Sequence, residues 1–252
     1  MISPDHNFIF CENAKELSIK GANYFIDCVS ESINKSACFN VALSGGSTPK
    51  ALYYLLSKND YNKNIEWKKV HFFWGDERAV PAHDEESNFR MAFEILLKQI
   101  DIPQSNIHRI KGELIEEAAR LYSRELEENI KTKKEGMPVF DLIILGLGSD
   151  GHTASLFPGS EAINEKHLPV TSVYVEKLDS TRITMTPPVI KAAKNVLIVV
   201  SGKEKATVLN EIMAEDHPVN KYPLNLVNEC TGKVTWLIDK DASGKLSMKN
   251  FE

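Results

Sequence analysis

"FDLIILGLGSDGHTASLFPGS", residues 140–160, begins as an apolar run and ends in polar chemistry. Residues 142–145, LIIL, suit a strand buried on both faces, and such a strand belongs to a parallel sheet covered by helices on each side. The run breaks at Gly146 and Gly148, then places Asp150, Gly151, His152, Thr153 and Ser155 within six residues. In open α/β sheets ligands bind beyond the carboxyl ends of the strands, so this cluster stands where a site would be. The same residues also suit a turn in which Asp150 caps a short helix over 153–157 and His152 is merely exposed.

Working outward, apolar strand-like runs alternate with amphipathic stretches. Further strands are expected at 8–11, 39–43, 70–74, 173–175, 196–200 and 234–238, and helices at 14–33, 50–57, 88–100, 113–130, 189–193 and 203–213. In 113–130 an apolar stripe runs beside a charged face with a period near 3.6. Such alternation predicts an α/β protein with a largely parallel sheet and helices on both faces. The polar stretch KTKKEGMP, 131–138, reads as a solvated connection, and with no repeat or low-complexity linker the expectation is one domain over 1–252.

The bulk numbers exclude more than they assign. A chain of 252 residues buries roughly 70–75% of its unfolded surface on folding, so it needs no staples. A composition of 42% hydrophobic and 26% charged residues is that of an ordinary globular protein. The formal charge of −5 argues against a nucleic-acid partner, while a local cluster of Lys and Arg still leaves room for a small anion. Cys11, Cys28, Cys38 and Cys230 form no CxxC pair and have no histidine at ligand spacing, which indicates core thiols in a reducing compartment and no structural metal. The N-terminal MISPDHNFIF lacks the pattern of a secretory leader, and no apolar run approaches the ~20 residues of a membrane span. A cytoplasmic protein without a membrane partner is expected.

Three more strand ends carry unusual residues. In "VALSGGSTPKALYYLL", 41–56, a strand runs into Ser44, Gly45, Gly46, Ser47 and Thr48 before Pro49 opens a helix with Ser or Thr as its cap. Free N–H groups and the positive helix end make a phosphate cradle there, although a plain strand–turn–helix connection has the same outline. The spacing is neither that of a Walker loop nor GxGxxG. In "VHFFWGDERAVP", 70–81, Asp76, Glu77 and Arg78 follow a strand and read either as a solvated loop or as an ionised partner with an anion-binding guanidinium. In "STRITMTPPVI" and "VVSGKEKATVL", Arg182 precedes a polar–apolar alternation and Lys205 lies in a helix's first turn, an unfavourable place for a cation unless an anion is there.

The set SGGSTP, WGDER, LGLGSDGHTASLFPGS and SGKEKA, in order over about 41–206, resembles the 6-phosphogluconolactonases, in the superfamily shared with glucosamine-6-phosphate isomerase/deaminase. The resemblance implies a Rossmann-like sheet and hydrolysis of 6-phospho-D-glucono-1,5-lactone to 6-phosphogluconate, in the oxidative branch of the pentose phosphate pathway. It implies no cofactor and no metal, a small phosphorylated sugar lactone as the partner, and a monomer or small homo-oligomer. Carried over by motif, His152 would activate water with Asp150 in support. Ser44, Gly45, Gly46, Ser47 and Thr48 would hold the phosphate with Arg182 and Lys205, Arg78 would meet the substrate, and Asp76 would support the site.

Two other functions share parts of this pattern. The related deaminase has the phosphate loop and the DGH string but continues into phenylalanine, asparagine and glutamate, where this chain has Thr153–Ala154–Ser155–Leu156–Phe157. Phe157 takes the glutamate position and exchanges no proton. A non-catalytic sugar-phosphate-binding protein would keep the cradle without needing the imidazole. Ser155 is not read as a nucleophile, because TASLF lacks the GxSxG elbow; helix packing or capping is expected of it.

Overall fold

Five consecutive buried residues at 39–43, and nearly unbroken burial at 195–200 and 233–239, identify strands covered on both faces, as their apolar runs require. The structure, a computed structural model, describes residues 6–214 and 217–246. Residues 1–5, the start of the N-terminal stretch read for a leader, lie outside them. The chain runs β1 (Asn7–Cys11), α1 (Ala14–Lys35), β2 (Phe39–Leu43), α2 (Ser47–Leu56), α3 (Asn59–Asn62), β3 (Val70–Trp74), β4 (Asp76–Arg78), α4 (Asn88–Ile95), α5 (Ala118–Asn129), β5 (Lys133–Lys134), β6 (Met137–Pro138), β7 (Leu142–Gly146), β8 (Val170–Val175), β9 (Ser180–Met185), α6 (Pro187–Ala192), β10 (Asn195–Val200), α7 (Ala206–Ala214), β11 (Lys233–Asp239) and α8 (Lys240–Ser243).

Six strands form a parallel sheet in the order β1-β11-β10-β7-β2-β3, flanked by helices. The order decides where a ligand goes. From β2 the chain moves outward to β3, whereas β7, β10 and β11 build the other half, so β2 and β7 are neighbours whose following loops part in opposite directions. Their pairing covers only Val41↔Leu142 and Ala42↔Ile143. Beyond it lies the crevice of a topological switch point, flanked by SGGSTP on one side and LGSDGH on the other.

A second sheet changes the reading of the polar segments. β4, β9 and β8 form an antiparallel sheet in that order. The run Asp76–Arg78, compatible with a solvated loop by sequence, is therefore its edge strand, and the polar–apolar alternation after residue 180 is its central one. The strand expected at 173–175 starts at Val170 and belongs here, not to the parallel sheet.

Other boundaries move for local reasons. α2 begins at Ser47 instead of 50, with Gly46 at φ 100° as its N-terminal boundary residue, so Thr48 lies inside the helix and does not cap it. The helix expected over 113–130 starts at Ala118, after a 3-10 turn at Gly112–Leu114 and a positive φ at Ile115. The helix at 88–100 stops at Ile95. The stretch 131–138 is a short hairpin whose Lys133 and Lys134 are exposed while Met137 is buried. Among the described residues no helix is long and apolar enough to cross a membrane.

Candidate active site

Two tyrosines fix the strand ends at the crevice. Where β2 ends, the buried hydroxyl of Tyr53 accepts from the Ser44 N–H (2.9 Å) and donates to the Ser44 carbonyl (3.0 Å). Where β3 ends, Tyr122 does the same to Trp74, at 2.7 and 3.1 Å. Each phenol satisfies both polar groups of a residue where the ladder stops, and buried backbone groups require this.

From Ser44 the chain turns through Gly45 and Gly46 into α2. A side chain on Gly45 would overlap the buried amide of Asn88, and Gly46 needs a positive φ. Among the described residues no side chain caps α2, so its first-turn N–H groups and positive end are available to a ligand. Ser44, Gly45, Gly46, Ser47 and Thr48 all line one cavity of about 590 Å³.

The loop after β7 lines the same cavity with Asp150 and His152. The short helix at 153–157, the alternative reading of this segment, is absent among the described residues. Ala154 takes φ 48° and Thr153 bridges to Leu156, which folds the segment back on itself. Thr153 Oγ1 donates to the Gly146 carbonyl at 2.9 Å. His152 lies over Gly148, where any Cβ would fall on the imidazole. Its Nδ1 meets Asp150 Oδ1 at 2.5 Å, and a carboxylate there selects the Nδ1–H tautomer and leaves Nε2 with its lone pair.

Burial is the largest influence on this histidine and lowers its pKa to about 4; nearby Asp76 opposes the shift, while Lys205, Arg182 and Arg78 reinforce it. The imidazole is therefore neutral at pH 7. Because its folded value lies below the unfolded ~6.5, the unfolded chain binds the extra proton first. The group's contribution to stability is present above pH ~6.5 and is lost as pH falls towards 4.

The small sheet supplies the charges. Arg78 and Arg182 are directly opposite each other across β4 and β9, an arrangement that destabilises a sheet unless something negative offsets it. Arg182 is buried, and burial followed by the neighbouring Arg78 lowers its pKa. Its Nη1 donates to Ser180 Oγ at 2.7 Å, while Arg78 donates to the Glu86 carbonyl. Both line the cavity, as does Lys205. Lys205 sits in a 3-10 turn just before α7 rather than in the helix itself.

The three residues of the Asp-Glu-Arg run separate by role. Asp76 is buried on the cavity wall, with Oδ2 accepting from Ser155 Oγ at 2.6 Å. Ser155 is thus a buried hydrogen-bond partner and neither caps nor packs in a helix. Glu77 points away, accepting from Ser87 Oγ and from the backbone N–H groups of Arg78, Asn88 and Phe89, so it anchors the start of α4.

Asn88, Phe157 and Lys177 also line the cavity; of the three only Phe157 stands out in the sequence, as the residue in the deaminase's glutamate position. Asn88 Nδ2 donates to the Asp76 carbonyl at 2.9 Å. Among the described residues no cluster of three His, Cys, Asp or Glu side chains is arranged to hold a metal ion.

The family model for glucosamine-6-phosphate isomerases/6-phosphogluconolactonase matches residues 12–236. A 6-phosphogluconolactonase of Haemophilus influenzae is 41% identical over 203 residues, 81% of this chain and 85% of the relative. One from Synechocystis is 38% identical over 225 residues, covering 87% and 91%. The solved 6-phosphogluconolactonase of Trypanosoma brucei superposes with a TM-score of 0.88 at 30% identity, covering 98% of this chain and 100% of that one.

Proposed function

This chain belongs to the glucosamine-6-phosphate isomerase/6-phosphogluconolactonase family, and from that membership together with its site we infer that it is a lactone-hydrolysing enzyme of the 6-phosphogluconolactonase type. It converts 6-phospho-D-glucono-1,5-lactone to 6-phosphogluconate. The observation that carries the assignment of the site is that an uncapped helix N-terminus and a carboxylate-held, neutral histidine open into one cavity.

In this reading the phosphate lies against the N–H groups of Gly46, Ser47 and Thr48, with Arg78, Arg182 and Lys205 around it. The lactone ring then extends towards His152. Nε2 takes a proton from water as the oxygen adds to the lactone carbonyl, and Asp150 holds the imidazolium that forms. Collapse of the tetrahedral intermediate breaks the bond to the ring oxygen, which receives the proton from His152. A δ-lactone is an activated ester, so modest help suffices: general-base assistance of about 10²–10⁴-fold and about 10²–10³-fold from oxyanion stabilisation. Asp76, on the cavity wall and bonded to Ser155, raises the proton affinity of His152 and so supports the proton transfer.

The three cations that lower His152 are the ones the phosphate would neutralise. Substrate binding therefore raises the basicity of the imidazole when a base is needed. Saturating inorganic phosphate should move the His152 pKa upward from about 4, as read by NMR titration. An unchanged value would separate the anion site from the histidine.

Phe157 packs on the imidazole with ring centroids 4.3 Å apart, in the position where the deaminase pattern carries its proton-exchanging glutamate. The direct test is turnover. Lactone hydrolysis above the spontaneous rate is expected. Ammonia release from glucosamine 6-phosphate, or binding of 6-phosphogluconate without any turnover, would replace this reading by the deaminase or the binding protein. The same reading places residues 1–252 in one cytoplasmic α/β domain, acting as a monomer or small homo-oligomer.

A further inference from the structure

Lys177 lies between β8 and β9 in a 3-10 turn, Glu176–Leu178, that closes on Asp179 in the left-handed region. It comes from the small sheet yet reaches the loop of the large one: its ammonium contacts Asp150 Oδ2, while Asp150 Oδ1 holds His152. The same ammonium stands 4.5 Å above the centre of the Phe157 ring. Phe157 in turn packs against the imidazole. Four side chains thus close a ring of contacts: imidazole to carboxylate, carboxylate to ammonium, ammonium to phenyl face, phenyl back to imidazole.

We propose that Lys177 is a positioning residue for the hydrolytic reaction: by binding the far oxygen of Asp150 and the face of Phe157, it locks the carboxylate that orients His152 and offsets that carboxylate's charge. This rests on the reading of His152 as the base.

A carboxylate with one oxygen on the imidazole and the other in water is free to rotate about its last torsion; a cation on the second oxygen removes that freedom. An uncompensated carboxylate beside an imidazole also raises the ring's proton affinity, so the ammonium on its far oxygen helps to keep the resting imidazole neutral. With Lys177 in place Asp150 orients the ring without flooding it with negative charge. The other charged groups around His152 are Asp76, Arg78, Arg182 and Lys205, and none of them is altered by changing Lys177. Its side chain is about half exposed, at 48%, so its replacement should leave the fold intact.

The test compares Lys177→Met and Lys177→Arg with the parent protein. In Lys177→Met the His152 pKa, followed by NMR without substrate, should rise by about one unit. With the lactone, kcat should fall about tenfold while KM changes less than about twofold. Lys177→Arg should restore both. An unmoved His152 pKa in Lys177→Met, or an arginine variant as altered as the methionine one, overturns the proposal. Because the titration needs no turnover, it remains decisive even if the parent protein fails to hydrolyse the lactone, a failure that would count against the function alone.

Discussion

The large parallel sheet and the small antiparallel one contribute to the cavity by different physics. The large sheet presents backbone: the uncapped start of α2 after β2, and the tight glycine passages after β2 and β7 that admit Asn88 and the imidazole of His152. The small sheet presents long charged side chains, Arg78 and Arg182 in register across β4 and β9, and Lys177 at the β8–β9 turn. A helix end holds an anion by fixed dipoles that cost nothing to reorganise. Opposed guanidiniums repel each other, and in the proposed function the substrate's phosphate relieves that repulsion. In the proposed function one region defines where the phosphate and the base stand, and the other sets the charge between them.

That division makes the two regions separable by substitution. The largest effect belongs to the large sheet's loop. His152→Ala should lower kcat by at least about a hundredfold with affinity for 6-phosphogluconate kept; near-normal steady-state turnover would remove it as the base. Next comes the small sheet, where Arg182→Ala removes the charge-assisted contact to the substrate that the proposed function assigns to it. Its kcat/KM should fall roughly tenfold to a hundredfold, chiefly through KM, and product binding measured by calorimetry should weaken in parallel. A loss confined to kcat would place Arg182 at the reacting carbonyl instead of the phosphate. The smallest is Gly148→Ala, whose methyl group displaces the imidazole. A fall in kcat of about tenfold is expected, with the affinity for inorganic phosphate unaltered; a variant with full activity would show that the ring's place over Gly148 is immaterial.

The sequence revealed the two regions unequally, for the same reason that they act differently. β2, β7, β10 and β11 are buried on both faces, so each is a continuous apolar run, and the glycines after β2 and β7 advertise a turn. The cradle, Asp150 and His152 were legible on those grounds. β4 is three residues of charged sequence, Asp76–Arg78; its strand character comes from pairing with a segment about a hundred residues later, which no local pattern encodes. For the same reason Glu77 could not be distinguished from Asp76 until the buried N–H groups of α4 were seen to converge on it. The segment after His152 misled differently. Its spacing suits a capped helix, but Ser155 Oγ bonds Asp76 across the crevice and Thr153 bonds the end of β7, and those tertiary bonds override the helical alternative. Lys177 had no signal at all, because its significance lies in reaching a loop 27 residues earlier.

The central claim is that phosphate and base occupy opposite ends of one cavity, a sugar's length apart. A crystal structure with 6-phosphogluconate bound tests it most directly. The phosphate should lie at the start of α2 with Arg78, Arg182 and Lys205 around it, and the C1 carboxylate within hydrogen-bond reach of His152 Nε2. A phosphate seated elsewhere, or a carboxylate turned away from the imidazole, would contradict the account.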